Sequence, residues 1–297
     1  MGSLDGRVAV VTGAGAGLGR EHALLLAAEG AAVVVNDLGE AAHGAVEAIR
    51  AAGGEAVAHT ESIADWSGAE SLVKTAVETF GDLHIVVNNA GILRDRLLVS
   101  MTEAEFDAVI AVHLKGTFAV TRHAAAYWRE QAKAGVTADR SLINTTSSSG
   151  LHGNVGQVNY GAAKAGIAAL TLIAAEELER YHVRANAVAP GARTQMTEST
   201  PGLGEIMTST VGAEFDTWHP GNVSPVVAML AAADCRFTGQ VLRVIGGQVD
   251  FYQGWSPAQT FTADHRWGIE ELAEATAAVP AKPAKVAVGA QRAVQQS

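Results

Sequence analysis

A chain of 297 residues with 48% hydrophobic side chains can fill a sizeable core, which excludes an intrinsically disordered protein. A formal net charge of −10, with no run of Lys or Arg, excludes a protein that tracks nucleic-acid phosphates. A single cysteine, Cys235, excludes an intramolecular disulfide framework, and the sequence calls for no metal.

The first apolar run, 7–11, reads as a strand; it is too short for a signal-peptide core or a membrane span, so the expectation is a cytoplasmic protein with no membrane segment. It leads into Thr12-Gly13-Ala14-Gly15-Ala16-Gly17-Leu18-Gly19 and a helix over 17–29. Strand 32–36 ends at Asp37 and Leu38, followed by helix 40–52, strand 55–59 with Ser62 and Ile63 beyond it, and helix 67–80. Strand 85–88 opens Asn88-Asn89-Ala90-Gly91, one long helix covers 103–134 with His113 inside it, and strand 141–145 runs to Ser147. Helix 158–180 carries Tyr160 and Lys164, strand 183–188 leads to Pro190, Gly191 and Thr194, and helix 223–233 and strand 240–245 finish the alternation.

β-branched runs alternating with Ala/Leu/Glu-rich helical stretches specify repeated βαβ units, hence one doubly wound parallel sheet of seven strands with helices on both faces. In such a sheet ligands lie beyond the carboxyl ends of the strands, where every residue named above falls. Residues 1–250 read as one catalytic domain, with 194–220 long enough for a substrate loop. Residues 251–297 read as an extension that packs on the domain or a neighbouring subunit: an aromatic section, a short helix at 269–277 and an Ala/Pro/Lys/Gln tail.

The glycines at 13, 15, 17 and 19 permit a tight turn and close backbone approach, and the helix N-terminus offers free N–H groups and partial positive charge to a pyrophosphate. Asp37 can accept hydrogen bonds from an adenosine ribose and would repel a 2′-phosphate; with Ala14, Ala16 and Leu38 as neighbours, NAD is favoured over NADP. The other reading of Asp37 is a cap for the helix beginning near Glu40. Tyr160 and Lys164 share a helix face, so the ammonium together with an oxidised nicotinamide can favour the phenolate and fit the tyrosine for proton transfer; the alternative is an amphipathic surface pair. Ser147, the first of three adjacent serines, can hydrogen-bond a substrate oxygen or belong to a plain polar loop.

Thr12 to Gly19, Asn88-Asn89-Ala90-Gly91, Ser147, Tyr160, Lys164 and Pro190-Gly191, in this order, resemble the short-chain dehydrogenase/reductase family over about residues 5–250. The resemblance implies a Rossmann domain with Tyr160 as acid/base, Lys164 on the nicotinamide ribose and Ser147 steadying the substrate. It further implies that Asn89, Ala90 and Gly91 line the adenosine side, that Ile63 touches adenine beside Ser62, and that Thr194 holds the nicotinamide carboxamide. His113 stands where the family usually has an asparagine that anchors a water relay, and is the fourth candidate catalytic residue. Homotetramers or homodimers built on helices 103–134 and 158–180 are implied as well.

Within the family, Val35-Asn36-Asp37-Leu38-Gly39, Gly91 to Arg96, His113 and Gly153 to Gln157 resemble the (3R)-hydroxyacyl-CoA dehydrogenase or type 4 17β-hydroxysteroid dehydrogenase branch. That likeness implies a secondary alcohol or ketone on an apolar small molecule, with Leu93, Leu151, His152, Gln157, Met196 and Met207 as candidate pocket residues. An NADPH-dependent 3-oxoacyl-thioester reductase is the alternative, against which Asp37 argues. A dinucleotide sensor without chemistry is a third reading, against which retention of Ser147, Tyr160 and Lys164 argues.

Overall fold

The computed structural model describes residues 2–194 and 207–282. In chain order the main elements are β1 (Val8–Thr12), α1 (Gly17–Ala28), β2 (Ala32–Asn36), α2 (Glu40–Ala51), β3 (Ala56–His59), α3 (Trp66–Phe80), β4 (Ile85–Asn88), α4 (Glu103–Ile110) and α5 (Gly116–Lys133). They continue with β5 (Arg140–Thr145), α6 (Ser148–His152), α7 (Val158–Leu178), β6 (Val183–Gly191), α8 (Ser224–Ala231), β7 (Val241–Ile245), β8 (Gln248–Tyr252) and α9 (Ile269–Ala275). The chain divides into two units, Met1–Phe251 and Tyr252–Ser297.

The sheet runs β3-β2-β1-β4-β5-β6-β7-β8, with parallel pairing from β3 through β7. Strand order reverses between β1 and β4, which opens a crevice at their carboxyl ends and leaves the glycine turn on one lip and Asn88–Gly91 on the other. Alternation along β1 explains the layering. Ala9 and Val11 face a core shared with α1, α2 and α8, while Val8 and Val10 face one shared with α3, α5 and α7.

Three sequence expectations need correction. Among the described residues the sheet has eight strands, not seven. β8 follows β7 across only Gly246-Gly247, a connection too short for a crossover, so it returns antiparallel, tied by an Arg243–Asp250 ion pair of 2.6 Å. The helix expected over 103–134 is interrupted: α4, opened by a Thr102–Glu105 capping box, passes into a π-helical turn, Ala111–Lys115, before α5. The wider turn carries His113, now buried. α6 was not foreseen; Ser147 is its N-cap, accepting from Ser149 N–H at 3.2 Å.

The stretch Val158–Tyr181 is long and apolar enough to cross a membrane by length and composition alone. Its surroundings give a different account of that apolarity, because α7 packs on β5 and β6 and its Thr171 accepts a hydrogen bond from the buried Asn144 of β5 at 2.9 Å. In the second unit, Glu271 accepts from Gly268 N–H at the start of α9 and bonds His265 at 3.0 Å. The tail over 283–297 and residues 195–206 of the expected substrate loop, Met196 included, lie outside the described residues.

Candidate active site

The glycine turn is built by steric exclusion. A Cβ on Gly13, whose φ is +62°, would fall 2.7 Å from Ala90 Cα, and one on Gly19 would fall 2.2 Å from the Gly13 carbonyl oxygen. Thr12 accepts from the N–H groups of Asn89 and Ala90 at 2.9 and 3.0 Å, and Asn89 donates its amide to the Thr12 and Gly13 carbonyls. The two lips of the crevice are thus stitched together. Among the described residues, Ala16 gives α1 no side-chain cap, and its first turn holds no acidic residue. The Gly17-Leu18-Gly19 end of α1 therefore keeps N–H donors and partial positive charge for an anion, and it fits a dinucleotide pyrophosphate.

Asp37 stands at the end of β2 and accepts from Gly15 N–H at 2.8 Å and from Leu38 N–H at 2.7 Å. The cap reading is overturned, because Gly39 is the N-cap of α2 and no side chain caps it. Gly15 is the partner this carboxylate requires, since a Cβ there would come within 2.8 Å of Asp37 Oδ2. Two bonded N–H groups leave each oxygen a free lone pair for a sugar hydroxyl. Beyond β3, Ser62 accepts from Ala64 N–H at 3.2 Å. Ile63 is buried, its Cδ1 2.4 Å from where a Gly116 Cβ would stand.

On the other side of the crevice, Lys164 is buried and donates to the Thr145 carbonyl at 2.5 Å, its Nζ 5.7 Å from the centre of the Tyr160 ring. Burial pulls its pKa down to about 7. Tyr160 is half-buried, with its ring perpendicular to that of His113 at 5.1 Å. In the protein alone its phenol lies above the ordinary value of 10: burial raises it, a hydrogen bond from Ser147 opposes this, and the Asp95 carboxylate raises it further. The Lys164 ammonium lies over the ring face and is committed to a backbone carbonyl. The surface-pair reading also falls, since a buried lysine is no solvated charge.

His113 is held neutral, its pKa pulled to about 3 by burial and then by the Lys164 charge. Its Nε2 lies 2.8 Å from the Ile92 carbonyl oxygen and 3.0 Å from the Ile92 nitrogen, so either tautomer finds a partner. Nδ1 is buried with no hydrogen-bond partner among the described residues. Gly91 exists for this ring: a Cβ there would fall 2.2 Å from His113 Cε1.

Pro190 and Gly191 close β6 beside Val244 and Ile245, and a Gly191 Cβ would meet Ile245 at 2.5 Å. Thr194 approaches the glycine turn, its methyl 3.5 Å from the Cβ position of Gly17. The loop's described part is anchored by Arg193, paired with Asp216 at 2.5 Å and donating to the Met207 carbonyl at 2.7 Å. Met207 is buried. Leu93, Leu151, His152 and Gln157 are all partly exposed.

Sequence reasoning missed several residues of the site. Thr12 and Thr145 act through a hydroxyl and a carbonyl that no side-chain pattern advertises. Gln157, which the sequence did name as a pocket candidate, accepts from Ser149 at 2.7 Å and donates to Asp95 at 2.8 Å. Asn159, fully buried beside Tyr160, had a readable signal: a carboxamide in the first turn of an apolar helix.

The family model for short chain dehydrogenases matches residues 7–202. The chain is 48% identical over 279 residues to the hydroxyacyl-CoA dehydrogenase ChsB1 of Mycobacterium tuberculosis, covering 91% of this chain and 87% of that protein. It is 45% identical over 253 residues to the peroxisomal multifunctional enzyme type 2 of Drosophila melanogaster, covering 82% of this chain and 39% of that longer protein. A crystal structure of a short chain dehydrogenase from Mycobacterium avium superposes with a TM-score of 0.85 at 52% identity, covering 93% of this chain and 95% of that one.

Proposed function

The chain belongs to the short-chain dehydrogenase family, in the branch that holds these relatives, and from that premise we propose that it interconverts a secondary alcohol and a ketone on an acyl-CoA or similarly apolar scaffold with NAD(H). The observation that carries this reading is the Ser147–Tyr160–Lys164 group at the carboxyl ends of β5 and the start of α7, with Asp37 across the crevice. The name of the 48%-identical relative supports the acyl-CoA class. Asp37, with no cation at Ala14, Ala16 or Leu38, supports NAD over NADP.

Gly17, Leu18 and Gly19 would hold the pyrophosphate, Asp37 the adenosine ribose, Ile63 and Asn89 to Gly91 the adenine side, and Lys164 and Thr194 the nicotinamide side. The bound dinucleotide supplies the hydride acceptor or donor and, when oxidised, a positive charge. In oxidation Ser147 holds the substrate hydroxyl while the Tyr160 phenolate takes its proton; in reduction the phenol returns it. The family's homotetramer or homodimer, on α5 and α7, accounts for the exposed Phe118, Leu172 and Ile173.

The test is NAD and NADP reduction with a panel of hydroxyacyl-CoAs and hydroxysteroids, beside Tyr160→Phe. Turnover that needs Tyr160 and prefers NAD is the result the reading requires. Binding without Tyr160-dependent turnover, or a preference for NADPH with 3-oxoacyl thioesters, would overturn it.

A further inference from the structure

Asn159 is the second residue of α7, directly before Tyr160, and its side chain is wholly removed from solvent. A buried carboxamide is costly unless its polar atoms are used. Here Oδ1 accepts from Tyr160 N–H at 2.7 Å, while Nδ2 donates to the Arg94 carbonyl at 2.9 Å and the Glu105 carbonyl at 3.2 Å. Gln157, the N-cap of α7, supplies no side-chain cap, so Asn159 satisfies a first-turn N–H of that helix. One side chain therefore ties the backbone of the tyrosine to two points on the opposite wall, the segment after β4 and the first turn of α4.

That wall carries charge. Asp95 follows Arg94, and its carboxylate is held by Gln157 at 2.8 Å, while Arg96 N–H donates to the Gly156 carbonyl at 2.8 Å. The titratable groups that bear on the phenol are Asp95 from the wall, Lys164 from α7 and His113 from the π-helical turn.

We infer that Asn159 is a positioning residue for Tyr160, fixing the phenol against the Arg94–Glu105 wall and holding Asp95 at its distance from it. The inference rests on the dehydrogenase reading and adds to it a residue that touches neither substrate nor dinucleotide. If the carboxamide is removed, the first turn of α7 loses its tie to the wall, and Asp95, though still bonded to Gln157, is no longer kept at a fixed distance from the phenol. Since Asp95 is one of the groups that raise the Tyr160 pKa, its release moves the titration to lower pH.

The experiment compares Asn159→Ala and Asn159→Ser with wild type in kcat, KM for NAD and the pH profile of kcat/KM, with circular dichroism as the folding control. Expected for folded Asn159→Ala are a kcat lower by about 10- to 100-fold, as for a reacting group displaced by an ångström or less, and a KM for NAD within about twofold, because the glycine turn is untouched. The Tyr160-dependent limb of the profile shifts to lower pH by about half a unit, the scale of a partly screened carboxylate. Asn159→Ser, whose hydroxyl still accepts from Tyr160 N–H, recovers part of the rate and carries the same criteria if the alanine variant does not fold. A folded variant with wild-type kcat, a lost rate with an unmoved limb, or failure of both variants to fold overturns the inference. Tyr160→Phe separates the two levels: if wild type itself shows no Tyr160-dependent turnover, the dehydrogenase reading has failed first.

Discussion

Gly91→Ala is the sharpest steric test of the site, because the structure says what the added methyl meets. Its Cβ would lie 2.2 Å from His113 Cε1 and 3.0 Å from Nε2, and the ring cannot slide freely since it packs edge-on against Tyr160 at 5.1 Å. Forcing a methyl into a packed interior costs about 1–3 kcal/mol. Losing the contact with the Ile92 backbone adds about 1 kcal/mol, for a total of about 2–4 kcal/mol. In a domain of this size, that lowers Tm by roughly 4–16 °C. The assay is thermal and urea unfolding of Gly91→Ala, His113→Ala and the double variant. If the clash is with the ring, the double variant is less destabilised than the sum of the singles, with a coupling of about 1–3 kcal/mol. Additive effects, or a Gly91→Ala protein as stable as wild type, would refute the argument. A displaced ring also disturbs Tyr160, so kcat of Gly91→Ala falls with stability.

His113→Asn is expected to keep more turnover than His113→Ala, since a carboxamide retains a polar group near the Ile92 backbone; equal, near-wild-type rates for both would remove the side chain from the mechanism. Asp37→Asn should raise the ratio of kcat/KM for NADP to that for NAD by about tenfold or more, the value of relieving one like-charge contact with a 2′-phosphate, and an unchanged ratio measured with both dinucleotides counts against the ribose assignment. Arg140→Met strips a buried guanidinium from Asp82, its ion-pair partner at 2.7 Å, and from the Leu83 carbonyl, and should cost about 3–5 kcal/mol in urea unfolding. Burial alone would raise the Asp82 carboxyl, but bonds from Arg140, Leu83 N–H and Tyr127 outweigh it and hold the carboxyl below its ordinary 3.8. Its stabilisation is therefore present above that value and lost as pH falls through the depressed one, so Asp82→Asn flattens the acid limb of the stability curve. Lys164 shows the opposite sign: with its pKa pulled from 10.5 to about 7, the buried ammonium costs most at and below pH 7, and the unfolded chain binds the extra proton between the two values. The Tm advantage of Lys164→Met over wild type should shrink between pH 6 and pH 10, and a constant difference would refute this.

The parts of this fold that follow from repetition were readable in the sequence. Apolar runs buried on both faces, such as Val8–Thr12 and Ile85–Asn88, announce parallel strands, and the glycine run announces a tight turn, in which Gly13 and Gly19 leave no room for a Cβ and Gly17 takes a φ of +53°. What escaped depends on contacts between distant residues. The π-helical turn at Ala111–Lys115 inserts itself into an unbroken helical pattern, and only the fit of His113 against Gly91 and Ile92 shows its purpose. β8 was hidden because Gly246-Gly247 looks like the end of a domain as much as the bend of a hairpin. The bonds that place Tyr160 and Lys164 run to backbone atoms of Arg94, Glu105 and Thr145, and a carbonyl leaves no trace in a residue pattern.

The same placement changes how the Tyr–Lys pair is understood. A lysine one turn from a tyrosine invites the conclusion that the phenol is ionised by its neighbour, yet here burial weakens the lysine's own charge and holds the phenol high. Two desolvated groups cannot both carry charge cheaply, so the protein by itself favours a protonated phenol next to a lysine easily relieved of its proton. Under the dehydrogenase reading, this makes proton abstraction depend on the positive charge that an oxidised nicotinamide brings, and leaves the protonated phenol ready for carbonyl reduction. The acid limb for alcohol oxidation should accordingly lie at higher pH in wild type than in Asp95→Asn, where one of the groups that raise the phenol is gone. Identical limbs in the two proteins would show that Asp95 exerts no hold on the tyrosine, and that burial and the Ser147 hydrogen bond set its proton affinity.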